Sequence, residues 1–388
     1  MSLLPRHVVP LVLVLALVNG CPPGTEMAPP PGLLDAQVDG ASTDGSPSDG
    51  RADAQAPPVD CGCPTLPDLC SAPEANVPTF SPANNDAAFS QQLVNVLSCA
   101  ETKIQAALYQ TTSQCFVDLL NGALSANPSV SLELVIDDDQ CPLVSGVRDC
   151  PLSQLEGNPR VQIIDDSRSA LMHHKYIIAD GRRVWISSAN MTEDSFCSQF
   201  NNSMVIDDPT IVGAYLTEHQ RMAEMRSFGP TEDLGPTESG NYSVYFSPRS
   251  PASQPSRWFI DLLAAIETST SSIDFMIFAL TRQEVGDALV RAQERGVRVR
   301  GVVAHRFSTE PAISAMLDAG IDLRFDDVHS KVMVIDTTVV TGSANWSRSA
   351  WSNNENSLWI RDVSLADTYR AEVESIYENA DPVGSGEG

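Results

Sequence analysis

The sequence predicts an α/β protein built twice from one chain. Each of two similar halves is a mainly parallel sheet flanked by helices. Three observations carry this expectation. Apolar runs of strand length alternate with segments of helical period, the pattern of sheets covered by helices. Their order repeats at low identity, with Phe80-Ser81-Pro82 returning as Phe246-Ser247-Pro248. The most unusual motifs stand at equivalent points of that repeat.

Residues 1–20 read as a secretory signal, with Arg6 in a basic start, an apolar run from Val8 to Val18 too short to span a bilayer, and Gly20 before the cut. Val18-Asn19-Gly20-Cys21 resembles a bacterial lipobox, whose Cys becomes the lipidated first residue. This predicts an exported chain anchored to the cell envelope through Cys21, or a secreted one without that lipid. Residues 21–60 are rich in Pro, Gly, Ala, Ser and Asp and read as a disordered acidic tether.

The first half is expected over residues 61–228. A helix-period run (Phe89, Leu93, Val96, Leu97) precedes strands at 104–108, 131–136 and 161–164, the last leading into Asp165-Asp166. A Gly- and Pro-rich linker, 229–240, leads to the second half, 241–380. There Phe259, Leu262, Leu263 and Ile266 repeat the helical run. Strands follow at 273–280, 297–304 and 321–325, with a helix at 283–295 that stops at Gly296. Residues 365–379 read as a last amphipathic helix and 381–388 as a frayed tail.

Apart from Cys21 the chain has eight cysteines, Cys61, Cys63, Cys70, Cys99, Cys115, Cys141, Cys150 and Cys197. An even count in an exported chain favours disulfides, with Cys141 and Cys150 a local pair around a loop. The spacing of Cys61, Cys63 and Cys70 matches no common zinc module, so no metal site and no cofactor are expected.

The chemistry concentrates in two stretches. His173-His174-Lys175 runs on to Asp180, then Ser187-Ser188-Ala189-Asn190; His329-Ser330-Lys331 runs on to Asp336, then Gly342-Ser343-Ala344-Asn345. Along a strand, residues two apart share a face, so each His lies beside its Lys while His174 and Ser330 point away. Each half thus offers one imidazole, one cation and neutral donors.

Here the chain resembles the phospholipase D superfamily, marked by His-x-Lys-x4-Asp followed by Gly-Ser-x-Asn, usually twice; the resemblance covers about residues 75 to 380. It implies two phospholipase D-like halves with the active site at the pseudo-twofold interface. It also implies a covalent phosphohistidine, with His173 as nucleophile and His329 as general acid, then base. Lys175, Lys331, Asn190 and Asn345 would hold the phosphoryl oxygens, and Ser188 and Ser343 would contact substrate. Asp180 and Asp336 belong to the motif, but at strand ends they are expected to bond turn amides. Glu355 would orient an imidazole. The matching first-half position is neutral Asn201, so either Asp166 or Asp326 fills in or one histidine is less basic. Ser187 replaces the usual Gly at little expected cost.

Outside the motifs, His219 is expected on a helix surface within 210–225, and His305 exposed at a strand end. Trp346 and Trp351 would pack the rim or meet an acyl chain or base.

Composition separates the candidate substrates. Twenty-four Lys and Arg face 50 Asp and Glu, for a net charge of −26. Seven acidic residues and two arginines precede Cys61, which leaves −21 for the rest. Such a body repels polyanions, and its cleft arginines are interleaved with Asp165, Asp166, Asp326 and Asp327. The expected partner is therefore a phospholipid or other phosphodiester, with the membrane reached through Cys21, nucleic acid disfavoured and no oligomer required. A metal-independent nuclease, a cardiolipin synthase-like phosphatidyl transferase and a non-catalytic phosphate- or lipid-binding protein are the alternatives, in falling order.

Overall fold

The computed structural model describes residues 64–67, 70–81, 88–251 and 254–382. The expected signal, Cys21, the tether, Cys61, Cys63 and tail residues 383–388 lie outside the described residues.

The first sheet contains β1 (Pro78–Ser81), β2 (Lys103–Leu108), β3 (Ser131–Ile136), β4 (Val161–Asp165), β5 (Lys175–Ala179), β6 (Arg183–Ser187) and β7 (Asn201–Ile206). Its spatial order is β1-β7-β6-β5-β2-β3-β4. The second contains β8 (Tyr242–Ser247), β9 (Ser272–Ile277), β10 (Arg298–Ala304), β11 (Asp322–Asp326), β12 (Lys331–Ile335), β13 (Thr338–Gly342) and β14 (Glu355–Arg361). Its order is β8-β14-β13-β12-β9-β10-β11, the same topology again, extended at the edges by Thr237–Ser239 and Asp381–Pro382. The linker and tail thus supply short edge strands.

The α/β class and its duplication hold, but the sheets are mixed. Within these two sheets the parallel ladders are β2-β3-β4 and β9-β10-β11, whose connections are long enough to cross over. The motif strands turn back at once, at Asp180-Gly181 and at Asp336, so β5-β6-β7 and β12-β13-β14 are antiparallel.

Among the described residues, seven helices of eight or more residues complete the fold: α1 (Ala88–Ser98), α2 (Gln114–Ala126), α3 (Pro209–Ala223), α4 (Arg257–Thr268), α5 (Gln283–Glu294), α6 (Pro311–Asp318) and α7 (Val363–Asn379). Caps set several starts, with Ser113, Asp208 and Asp362 accepting first-turn amides. Helices α1 and α2 cover the outer face of the first sheet, and α4, α5 and α6 that of the second. Between the sheets lies a common core in which Tyr176, Ile178 and Val184 meet Val332, Val334 and Leu358, together with Tyr215 of α3 and Tyr369 of α7. Full burial of each such side chain contributes about 1.5–3 kcal/mol, so this core fixes the two halves against each other.

The expected Cys141–Cys150 disulfide is present, Cys70 bonds Cys99 at the end of α1, and Cys115 and Cys197 are also disulfide-bonded. Among the described residues, no helix is long and apolar enough to cross a membrane.

Candidate active site

Strands β5 and β12 are buried along their whole length. Their alternation sends His174, Tyr176 and Ile178 into the inter-sheet core and leaves His173 and Lys175 on the other side. His174 is fully buried, its Nε2 3.4 Å from Glu218 Oε1, with Asn356 Nδ2 3.2 Å from its Nδ1. Ser330 donates to the Phe200 carbonyl.

The two motifs are joined crosswise. The His173 amide donates to Asn354 O at 3.0 Å, and those of His329 and Ser330 donate to Phe200 O at 2.9 and 2.8 Å. The rings follow the same exchange. His173 Nδ1 lies 2.9 Å from Glu355 Oε2, and His329 Nδ1 lies 3.0 Å from Asn201 Oδ1. Each imidazole is therefore oriented by the opposite half.

Ser188 and Ser343, expected to contact substrate, instead hold these orienting groups. Ser188 Oγ donates to Asn201 Oδ1 at 2.9 Å and Ser343 Oγ to Glu355 Oε2 at 2.7 Å; both serines are fully buried. The recurring Phe-Ser-Pro has a matching structural task. Phe80-Ser81 pairs with Asn202-Asn201, and Phe246-Ser247 with Asn356-Glu355. Ser81 Oγ ties down the carbonyls of Ser195 and Gln199, and Ser247 Oγ those of Ala350 and Asn353. Both loops that enter the orienting strands are thereby clamped, a function only the repetition of the tripeptide could have signalled.

Beside each ring stands its lysine. Lys175 Nζ donates to His173 O at 3.0 Å, and Lys331 Nζ to His329 O at 2.6 Å. Aromatic rings that follow the neighbouring strands wall the site. Tyr109 lies 4.8 Å from the His173 ring and 5.0 Å from Lys175 Nζ; Phe278 lies 4.7 Å from the His329 ring and 5.0 Å from Lys331 Nζ. Sequence reading passed over both, since single aromatics at strand ends look like core. Burial first, then the charges of Lys175 and Lys331, push both histidines well below the usual imidazole value. Burial also pushes Glu355 up to about 8, against the pull of Lys175, Ser343 and Lys331.

The paired asparagines differ in their surroundings. Asn190 Nδ2 donates to Gln110 Oε1 at 2.8 Å, and Gln110 in turn bonds Gln140. The position equivalent to Gln110 is Ala279, whose carbonyl accepts from the Trp346 amide as that of Gln110 does from Met191. Asn190 Oδ1 and Asn345 Oδ1 are buried and have no hydrogen-bond partner among the described residues. Gly342 has φ +130°, and a Cβ there would come within 2.5 Å of Asn356 O. Ser187 escapes that conflict; its hydroxyl donates to the corresponding carbonyl, Asn202 O, at 2.9 Å.

Several expected residues lie elsewhere. Asp180 and Asp336, included with the catalytic residues, stand at the far ends of β5 and β12, about 16 Å along the strand from the lysines at roughly 3.3 Å per residue. Their carboxylates accept the amides of residues 101–103 and 270–272, which lowers both below the usual carboxylate value despite burial. That is the turn-bonding role. Asp166 does not fill in for Asn201; it accepts from the Asp138 amide. Among the described residues, no carboxylate makes a hydrogen bond to the His329 ring. His219 is buried rather than exposed, because α3 lies between the sheets, and its Nε2 is 3.2 Å from Glu133 Oε1. His305 is exposed beside Asp381. Trp346 belongs to the second-half core, while Trp351 is half-buried under Arg282. No group of three or more His, Cys, Asp or Glu among the described residues is arranged to hold a metal ion.

Two imidazoles with two cations and neutral amides, in a buried junction between repeats, can transfer a group at phosphorus. The comparisons with known proteins agree in kind. A family model described as cardiolipin synthase, PLD-like domain, matches residues 93–223 and 262–377. A mitochondrial cardiolipin hydrolase of Mus musculus is 33% identical over 129 residues, covering 31% of this chain and 58% of that protein. A phospholipase D of Rickettsia prowazekii is 34% identical over 117 residues, covering 28% and 57%. The chain thus spans somewhat over half the length of these curated relatives. The solved phosphatidylserine synthase of Haemophilus influenzae shares the fold, with a TM-score of 0.59 over 80% of this chain and 87% of that one at 15% identity. The family match takes in most of both halves and both copies of the motif, and the chain belongs to the phospholipase D superfamily.

Proposed function

We propose that this protein is an exported phosphodiesterase that releases head groups from phospholipids through a phosphohistidine on His173. The observation that carries the reading is the crosswise pair of imidazoles, each with its own lysine and each oriented from the other half. Displacement at phosphorus needs a nucleophile and a leaving-group acid on opposite sides, and a pseudo-dyad supplies both.

In the first step, Nε2 of His173 bonds phosphorus while the bond to the head-group oxygen breaks; that oxygen takes the proton from Nε2 of His329. In the second step, water gives its proton to His329 as its oxygen bonds phosphorus, and the P–N bond breaks to return His173. Lys175 and Lys331 counter the charge gathered on the phosphoryl oxygens in both transition states, and Asn190 and Asn345 add amide donors. A lipid alcohol in place of water would make the same steps a phosphatidyl transfer.

A lipid fits better than a nucleic acid because the chain carries −26 and a phospholipid presents a single phosphate. Lipidation of Cys21 would hold the enzyme at its substrate surface. The test is purified full-length protein, with and without chelator, on labelled phospholipid vesicles and on single-stranded DNA at low salt. Head-group release should exceed DNA cleavage and be indifferent to chelator. Faster DNA cleavage that falls steeply with salt would favour the nuclease, and loss with chelator restored by zinc or calcium would overturn the mechanism.

A further inference from the structure

The two histidines are held by the same geometry but not by the same kind of group: one ring meets a carboxyl group, the other an amide. Asn201 Nδ2 donates to the carbonyls of Ser195 and Gln199 at 3.0 and 3.4 Å, so its amide is fixed with Oδ1 toward the ring. Oδ1 accepts from Ser188 and can only accept from His329, which places the ring proton on Nδ1 and the lone pair on Nε2. At His173 the acceptor is Glu355, with Ser343 in the place of Ser188. We propose that Asn201 is a positioning residue that divides the labour of the two histidines: its neutral acceptor keeps His329 a proton carrier, while Glu355 fits His173 to carry the phosphoryl group. This rests on the phosphodiesterase reading above.

The chemistry follows from where charge develops. Bonding phosphorus at Nε2 makes the ring cationic while Nδ1 keeps its proton, and at His173 that charge draws the Glu355 carboxyl group, which burial holds up at about 8, toward its ionised form. At His329 an amide dipole would face that charge instead. Among the described residues, the charged side chains that act most on His329 are Lys331, Lys175 and Arg306, all cationic, and only a hydrogen bond to the Ser188 backbone works in the other direction. A permanent cation there is poorly supported, whereas a transient imidazolium gives up its proton readily.

A pH dependence follows. The acid form of His329 is required in the first step, and its depressed pKa means that this form is lost as pH rises, so the alkaline limb of kcat/KM should fall below the ordinary histidine value of about 6.5. Replacing Asn201→Glu puts a carboxyl group where a neutral amide stands, and as far as that group ionises it favours the imidazolium and moves that limb upward. The expected readout is an alkaline limb about one pH unit higher in the mutant, so that the mutant-to-wild-type kcat/KM ratio rises by about tenfold between pH values below both limbs and above both, one pKa unit being tenfold. Nitrogen-15 NMR of the His329 ring tests the positioning without turnover. Wild type should show the Nδ1–H tautomer, Asn201→Glu the same tautomer titrating higher, and Asn201→Ala, should the Glu variant fail to fold, a mixture with Nε2–H. An unmoved titration in folded Asn201→Glu, or a wild-type Nε2–H tautomer, would overturn the proposal. An inactive wild type with the expected NMR behaviour would instead remove the functional reading and leave the positioning intact.

Discussion

His173 and His174 are adjacent in sequence and opposite in surroundings. One ring meets Glu355 and Tyr109 at the junction; the other is packed among Glu218, Asn356 and Phe246 in the core. His173→Asn should therefore lose several orders of magnitude in rate with little change in stability. His174→Ala should keep kcat within about tenfold but lose about 2–3 kcal/mol, because it strands buried polar partners. Paired rate and denaturant measurements check this; an inactive, fully stable His174→Ala would contradict the strand register. The motif spacing made His173, Lys175, His329 and Lys331 legible. It could not show that the ring partners lie 182 and 128 residues away, since spacing within one strand says nothing about what the other half brings. For the same reason Ser188 and Ser343 looked like substrate contacts.

Among the elements, the turn from β13 into its Ser-Ala-Asn segment constrains the site most tightly. Gly342→Ala adds a Cβ against Asn356 O, next to Glu355, at a φ that side chains rarely adopt. It should cost at least about 2 kcal/mol and lower kcat/KM by loosening Glu355, while Ser187→Gly should stay within about 1 kcal/mol. Denaturant curves and rates of the two variants decide it; an indifferent Gly342→Ala would mean that Glu355 is held by other contacts. Most strands and helices could be located from apolar period alone. Pairing direction could not, because helices between some strands suggested parallel neighbours throughout, while the tight turns at Asp180 and Asp336 reverse the motif strands. Burial of His219 escaped detection too: α3 reads as a surface helix unless it is known to lie between two sheets.

Taken as a whole, the molecule is a duplication whose copies have diverged where chemistry is asymmetric. Topology, lysines and serine clamps match, while Glu355 faces Asn201 across the dyad and Gln110 faces Ala279. The repeat was legible from the Phe-Ser-Pro and His-x-Lys recurrences, and membership in the superfamily followed from the same residues. In that asymmetric site the two imidazoles act in series, His173 covalently and His329 on protons. The most direct measurement uses His329→Asn with a phosphatidyl ester of p-nitrophenol, a leaving group that needs no proton. The expected result is a burst of one p-nitrophenol per chain, followed by a stall, with the phosphatidyl group on the peptide that carries His173. A folded variant that gives no burst, or an adduct on any other residue, would contradict it.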